Sequence, residues 1–221
     1  MFSKTTIDFL KNIKKNNNRE WMYAHYTEYE NAKKDFFNMV EKILMEFKRK
    51  NKLYEGVTAS QCIFRINRDI RFSKDKSPYK FNFGAAFSPE GKKTKGACYY
   101  LHLEPGSSFL GGGMWLPKAD ELQKIRKEID YNTEEFFSII KNKKFKTEFG
   151  DLDTEYKLKK NPKGFDENNI VALEYLKLKS FTVSKSITDE ECLNKAYWKE
   201  LLNTFEIITP FIQFINKAID E

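Results

Sequence analysis

Apolar side chains in the first fifty residues recur at the three- and four-residue spacing of helices with one buried face. The spacing predicts a short helix beginning after Ser3, which can cap it. Asparagines at 16–18 end that helix, and Asn18 can cap a second one over about 19–50. The predicted buried stripe of the second helix comprises Phe36, Met39, Val40, Ile43, Leu44 and Phe47.

From residue 62 the pattern changes to alternation, which is typical of β-strands with one buried face. Cys62, Phe64 and Ile66 alternate with polar residues and predict a first strand. Residues 81–87 and 98–103 predict two more strands, joined as a hairpin over 82–103. A fourth strand is predicted over 107–116, interrupted by three consecutive glycines.

The C-terminal half returns mainly to helical spacing. Pro117 suits the first turn of a helix, and Asn132 or Thr133 can cap another. Turns are expected over 141–168, a returning strand over 178–184 and a capping box at 188–191. A last helix is predicted from near Asn194, and Pro210 should kink or break it.

These elements predict an α+β fold with a mainly antiparallel sheet of about four to five strands, flanked by N-terminal and C-terminal helices. The chain is predicted to be one domain over 1–221. Within it, N-terminal helices occupy 1–52, the sheet occupies 60–116, and helices with one returning strand occupy 117–221. A hydrophobic fraction of 40% over 221 residues is enough for a substantial core.

Composition favours a cytoplasmic protein. No apolar run approaches the ~20 residues that a membrane helix needs, and the N-terminus has no signal-peptide core. Cys62, Cys98 and Cys192 are widely spaced, which argues against a disulfide framework or a structural zinc site. We therefore expect a reducing compartment, no membrane partner and no cofactor. The oligomeric state is not predicted.

The strongest chemical signal is a cluster of cations at 65–80, where three of the six arginines occur within seven residues. The guanidinium fork binds carboxylates and phosphates bidentately, which lysine cannot do. One hypothesis is an anion site on a loop; the other is a structural network in which Asp69 and Asp75 pair with the cations. The candidate ligand-binding residues are Arg65, Asn67, Arg68, Arg71, Lys76, Tyr79 and Lys80.

Two further features follow the cluster. His102 and Glu104 share one face of a predicted strand, so they are candidates for acid–base catalysis or for a surface salt bridge. Two such residues are too few for a metal site, and none is predicted. Gly111, Gly112 and Gly113 let a backbone approach a ligand closely or form a bend, and Trp115 suits stacking on a ligand or packing in the core.

Several segments resemble the family called domain of unknown function 2461. They are FRINRDIRFSKDKSPYK at 64–80, YYLHLEPG at 99–106 and FLGGGMW at 109–115, with support from 16–21, 158–164 and 176–180. At Trp115 many members carry another aromatic residue. This difference affects only the possible stacking role of Trp115. The resemblance implies a soluble single-domain protein, and no activity or catalytic residue is carried over from it.

The leading functional hypothesis is a cleft for a small phosphorylated or carboxylated ligand, and the sequence leaves open whether the protein is an enzyme. A net charge of +7 also permits an alternative function in nucleic-acid binding. A third hypothesis is an interaction domain in which the arginines only hold a loop in place.

Overall fold

The computed structural model describes residues 1–165 and 169–220, which form an α+β fold. The α-helices are α1 Lys4–Lys15, α2 Arg19–Ala24, α3 Tyr26–Lys50, α4 Ala59–Cys62, α5 Ala119–Tyr131, α6 Thr133–Ile140, α7 Lys143–Phe149, α8 Ile170–Leu176, α9 Asp189–Leu193 and α10 Tyr197–Asp220. Short 3-10 helices occupy Lys52–Tyr54 and Gly91–Lys93. No helix in the described part of the chain is long and apolar enough to cross a membrane.

The strands are β1 Phe83–Phe87, β2 Cys98–Leu103, β3 Ser108–Met114 and β4 Phe181–Ile187. They form one antiparallel sheet in the order β1-β2-β3-β4, with helices flanking it. The predicted fold class is therefore confirmed, as are the hairpin of β1 with β2 and the strand at 107–116.

The chain divides into two compact units, each built from segments distant in sequence. Unit 1 comprises Met1–Thr94, Tyr100–Leu110 and Ser186–Leu202. Unit 2 comprises Lys95–Tyr99, Gly111–Lys185 and Asn203–Glu221. The single domain over 1–221 stays a prediction.

The core of unit 1 joins the N-terminal helices to β1 through aromatic rings. Phe36 of α3 is 1% exposed, and its ring centroid lies 5.9 Å from that of Phe2 and 5.3 Å from that of Phe83. The predicted caps are confirmed, because the Ser3 and Asn18 side chains accept hydrogen bonds from backbone N–H groups of α1 and α2. Capping fixes where the helices begin, and the apolar stripe fixes which face they bury.

The core of unit 2 is also aromatic, with Phe136, Phe145, Phe211 and Phe214 buried. The Phe145 and Phe211 rings meet edge to face at 5.8 Å between centroids. Of the two outcomes predicted for Pro210, the break does not occur, because α10 continues through it, and the kink stays a prediction. Pro210 is exposed, so the carbonyl that loses its helical partner can bond to water.

The predicted first strand at 62–66 is wrong. Residues 59–62 form α4, which Thr58 and Gln61 cap reciprocally. Beyond it the chain follows the 78–85 segment through isolated bridges of Ile63 with Ala85 and Asn67 with Tyr79. A continuous ladder does not form here, and Pro78 opposite this segment has no N–H to donate. Alternation of apolar residues reports which side is buried, not whether strands pair.

Other boundaries also differ from the predictions. The helix over 19–50 is two helices, because His25 ends α2 and donates its backbone N–H to the Trp21 carbonyl. The 141–168 stretch contains α7 as well as turns, and its last residues, 166–168, lie outside the described residues. The returning strand begins at Phe181 rather than at 178, and α8 was not predicted.

Candidate functional site

The predicted His102–Glu104 couple exists in unit 1, on the more open face of β2. Leu101 and Leu103 point into the core, so the alternation of the strand places Tyr100 and His102 on the opposite face. His102 Nε2 lies 3.1 Å from Glu104 Oε2, and the two side chains are 13% and 15% exposed. The couple is therefore mostly buried, but solvent can still reach part of each side chain.

Hydrogen-bond partners define the proton positions on the His102 ring. A carboxylate only accepts hydrogen bonds, so Nε2 carries the proton that it donates to Glu104. Nδ1 then accepts, and the Tyr100 hydroxyl lies 3.4 Å from it. Glu104 is further paired with Lys14 of α1, with 3.6 Å between Nζ and Oε1. Tyr100 and Lys14 complete a chain of polar groups that the sequence did not predict.

The environment keeps the His102 imidazole neutral. Burial lowers its pKa below the ordinary value of 6.5, and the Lys80 charge lowers it further, while the hydrogen bond to Glu104 opposes both. Phe109 of β3 stacks on the ring with 4.7 Å between centroids. A neutral imidazole with an accepting Nδ1 is suited to take a proton at neutral pH.

We expect the His102 imidazole to titrate below pH 6.5 in the folded protein. The unfolded chain takes up this proton more readily, so stability contributed by neutral His102 is present above about pH 6.5 and is lost as pH falls through the folded pKa. Imidazole NMR signals measured against pH check this, since the chain has two histidines and His25→Gln assigns them. Titration of His102 above pH 6.5 would contradict it.

The tip of the basic loop is held by internal ion pairs. Arg68 pairs with Asp75, and its guanidinium also donates to the Ser77 carbonyl oxygen at 3.3 Å. Arg71 donates from Nε and from one terminal nitrogen to the two Asp69 oxygens, at 3.0 and 2.7 Å. Hydrogen bonds from Ser77, followed by that from Arg68, lower the pKa of Asp75 to about 2. These pairs favour the structural hypothesis for Arg68 and Arg71.

Lys76 and Asn67 also have local structural roles. Lys76 Nζ donates to the Ile70 carbonyl oxygen at 3.0 Å, across the tip of the loop. Asn67 bridges to Tyr79 through the backbone. The Asn17 side chain accepts from the Tyr79 N–H at 3.1 Å and donates to the Tyr79 carbonyl at 2.9 Å. Asn17 thus joins the N-terminal helices to the loop; the sequence showed it only as a helix terminator.

Arg65 and Lys80 differ from the other cations of the cluster. Within residues 1–165 and 169–220, neither side chain forms a salt bridge. Arg65 is exposed, whereas Lys80 is half-buried with its Nζ 5.6 Å from the centroid of the Phe64 ring. Burial lowers the pKa of Lys80, and the Arg65 charge lowers it further. The two cations therefore interact with each other, and neither forms a direct ion pair within those residues, although the Arg65 charge contributes to lowering the pKa of the exposed Asp69 carboxyl.

Aromatic contacts connect this cation pair to the histidine. The Phe64 ring beneath Lys80 meets the Tyr100 ring edge to face at 6.2 Å, and Tyr100 reaches His102. Gly84 makes this possible, since a Cβ there would lie 2.5 Å from the Tyr100 hydroxyl oxygen. Unit 1 thus contains a connected set of cations and proton-exchanging groups, namely Arg65, Lys80, Tyr100, His102 and Glu104.

The glycine triplet and Trp115 belong to unit 2. Gly111, Gly112 and Gly113 are buried, and a Cβ on each would collide with backbone oxygens, that of Cys98 lying 2.6 Å from the Gly112 position. Close packing accounts for all three glycines, so ligand contact there stays a prediction. Trp115 is 66% exposed and meets Tyr156 edge to face at 6.2 Å.

Buried thiols and metal ligands offer no competing chemistry in the described residues. Burial raises the pKa values of Cys62 and Cys192 to about 11, which disfavours the nucleophilic thiolate. Groups of three or more potential metal ligands are absent from residues 1–165 and 169–220.

Comparisons with known proteins agree with the motifs. The family model described as a conserved hypothetical protein, DUF2461, matches residues 5–214. No curated protein matches the chain, and no solved structure matches it. Because the family match covers nearly the whole chain, the protein belongs to the DUF2461 family, as its sequence motifs indicated.

Proposed function

We propose that the face of unit 1 around His102 binds a small phosphorylated or carboxylated ligand. Arg65 and Lys80 hold the anion, and His102 exchanges a proton with the ligand. One observation carries the proposal: Arg65 and Lys80 form no salt bridge within the described residues, and Lys80 lies over the Phe64 ring that contacts Tyr100, next to the largely buried His102–Glu104 couple.

Electrostatics supports an anion between these cations. Two like charges repel more strongly where burial lowers the effective dielectric, and Lys80 is half-buried. An oxyanion placed between Arg65 and Lys80 would relieve that repulsion and form charge-assisted hydrogen bonds, which are about twice as strong as neutral ones. Arg68, Arg71 and Lys76 support the loop in this proposal through the internal contacts described above.

The His102 couple supports acid–base chemistry on the bound ligand. A proton from a ligand hydroxyl would pass to Nδ1, which gives an imidazolium that still donates from Nε2 to Glu104. The Glu104 carboxylate would stabilise this cation, and Lys80 would stabilise the oxyanion left on the ligand. Tyr100 would yield its hydrogen bond to Nδ1 when the ligand binds.

A thermal-shift screen tests the proposal with inorganic phosphate, sulfate, sugar phosphates, nucleoside monophosphates and dicarboxylates. A ligand at ~100 times its dissociation constant should add ~2.7 kcal/mol to the stability of the native protein. Arg65→Gln and Lys80→Met should each abolish the shift. Arg49→Gln is the matched control, because Arg49 is 71% exposed on α3 and pairs with Glu46.

A ligand that stabilises the Arg65 and Lys80 variants as much as the native protein would refute the anion site. Arg68→Ala separates the structural hypothesis from it: the variant should melt at a lower temperature because its ion pair is lost, yet still respond to the ligand. If the Arg68 variant keeps its stability but no longer responds to the ligand, Arg68 belongs to the binding site.

A further inference from the structure

The tip of the basic loop presents an apolar ring to solvent. Phe72 is 95% exposed, although burying a phenylalanine side chain normally stabilises a protein. The neighbouring backbone is ordered by the Arg71–Asp69 pair and by the bond from Lys76 to Ile70. The loop therefore holds Phe72 in water on a pre-organised support, which lowers the entropy cost of contact with a partner.

Phe72 is one of three rings in this region that have a cation over them. Arg71 lies 5.8 Å from the Phe72 centroid, Lys80 lies 5.6 Å from that of Phe64, and Lys14 lies 4.7 Å from that of Phe81. The segment 65–80 itself has six cations against two carboxylates. Rings that stack on bases, interleaved with cations that contact phosphates, are how proteins bind single-stranded nucleic acid.

We propose that this loop binds single-stranded nucleic acid, with one base stacked on Phe72 and a backbone phosphate between Arg65 and Lys80. The inference rests on the proposed function, because it uses the same cation pair for the phosphate. A single strand fits because only unpaired bases expose their faces for stacking.

The distribution of the rings favours nucleic acid over an anionic membrane. Phe64 and Phe81 are half-buried near the base of the loop, whereas Phe72 is at its tip. A flexible strand can follow rings placed at different depths, but a bilayer surface would receive Phe72 alone. One inserted phenylalanine is a weak anchor for a membrane.

Fluorescence anisotropy with labelled oligothymidylate and oligouridylate of about 10 nucleotides tests the inference. Phe72→Ala should weaken binding by about 5- to 150-fold, which corresponds to the ~1–3 kcal/mol lost per stacked base. Phe72→Trp should retain binding because indole also stacks. Tyr23→Ala is the matched control, since Tyr23 is an 87% exposed aromatic residue of the same unit. Binding should also weaken as salt rises from about 50 to 200 mM.

The outcomes separate this inference from the proposed function. Equal oligonucleotide binding by Phe72→Ala and the native protein, or no oligonucleotide binding at all, overturns the inference while small-anion binding at Arg65 and Lys80 can still stand. If Arg65→Gln and Lys80→Met bind small anions and oligonucleotides as well as the native protein does, the proposed function and the inference are both overturned. Phe72-dependent binding to anionic phosphatidylserine vesicles without oligonucleotide binding would instead identify a membrane contact.

Discussion

Replacing Gly113 with alanine is expected to lower the free energy of unfolding by about 2–6 kcal/mol, because two separate costs add. Gly113 has φ +118°, a backbone conformation that residues with a Cβ rarely adopt. The added Cβ would also overlap the carbonyl oxygen of Phe181 in β4. Since that atom belongs to the backbone, it cannot move aside as a flexible side chain would.

Urea unfolding of three glycine variants separates the two costs. Gly150→Ala carries the strain alone, because Gly150 has φ +73° and open space around it, and about 1–2 kcal/mol is expected. Gly56→Ala has open space and no positive φ, so its stability should hardly change. If Gly113→Ala were no less stable than Gly150→Ala, the close approach of β3 to β4 would not constrain this position.

Replacing Phe36 with alanine is expected to cost about 3–5 kcal/mol, the usual range for a fully buried phenylalanine. The change removes the ring that packs against Phe2 and Phe83 and leaves a cavity between α3 and β1. β1 leads directly from the segment that carries Lys80 and contains Gly84, over which Tyr100 lies. Loss of Phe36 should therefore weaken the support of the candidate site as well as the core.

Calorimetry compares this variant with Tyr23→Ala, which removes an aromatic ring of similar size from a solvent-exposed position. The exposed variant should stay within about 0.5 kcal/mol of the native protein. Similar melting temperatures for the two variants would mean that the Phe36 ring contributes little to the stability of unit 1.

The candidate site shows which of its contacts local sequence patterns can predict. Alternation along residues 98–104 placed His102 and Glu104 on one face, and the structure confirms that they are hydrogen-bonded. The same alternation places Tyr100 on this face, but its hydrogen bond to His102 does not follow from alternation, and Lys14 lies on a helix remote in sequence. Asn17 was equally hidden, since its contact with Tyr79 joins positions 62 residues apart.

The sequence by itself determined the family, the α+β class, the principal helix caps and the strands β2 and β3, because caps and hydrophobic periodicity act over a few neighbouring residues. Only the tertiary structure decided which cations of 65–80 are paired: Arg68 and Arg71 form salt bridges with carboxylates, whereas Arg65 and Lys80 form none within the described residues. It also decided that residues 62–66 do not form a strand. At the three consecutive glycines, neighbouring backbone atoms occupy the space that a Cβ would need. Ion pairing, strand pairing and close packing depend on distances between segments remote in sequence, and these distances exist only once the chain has folded.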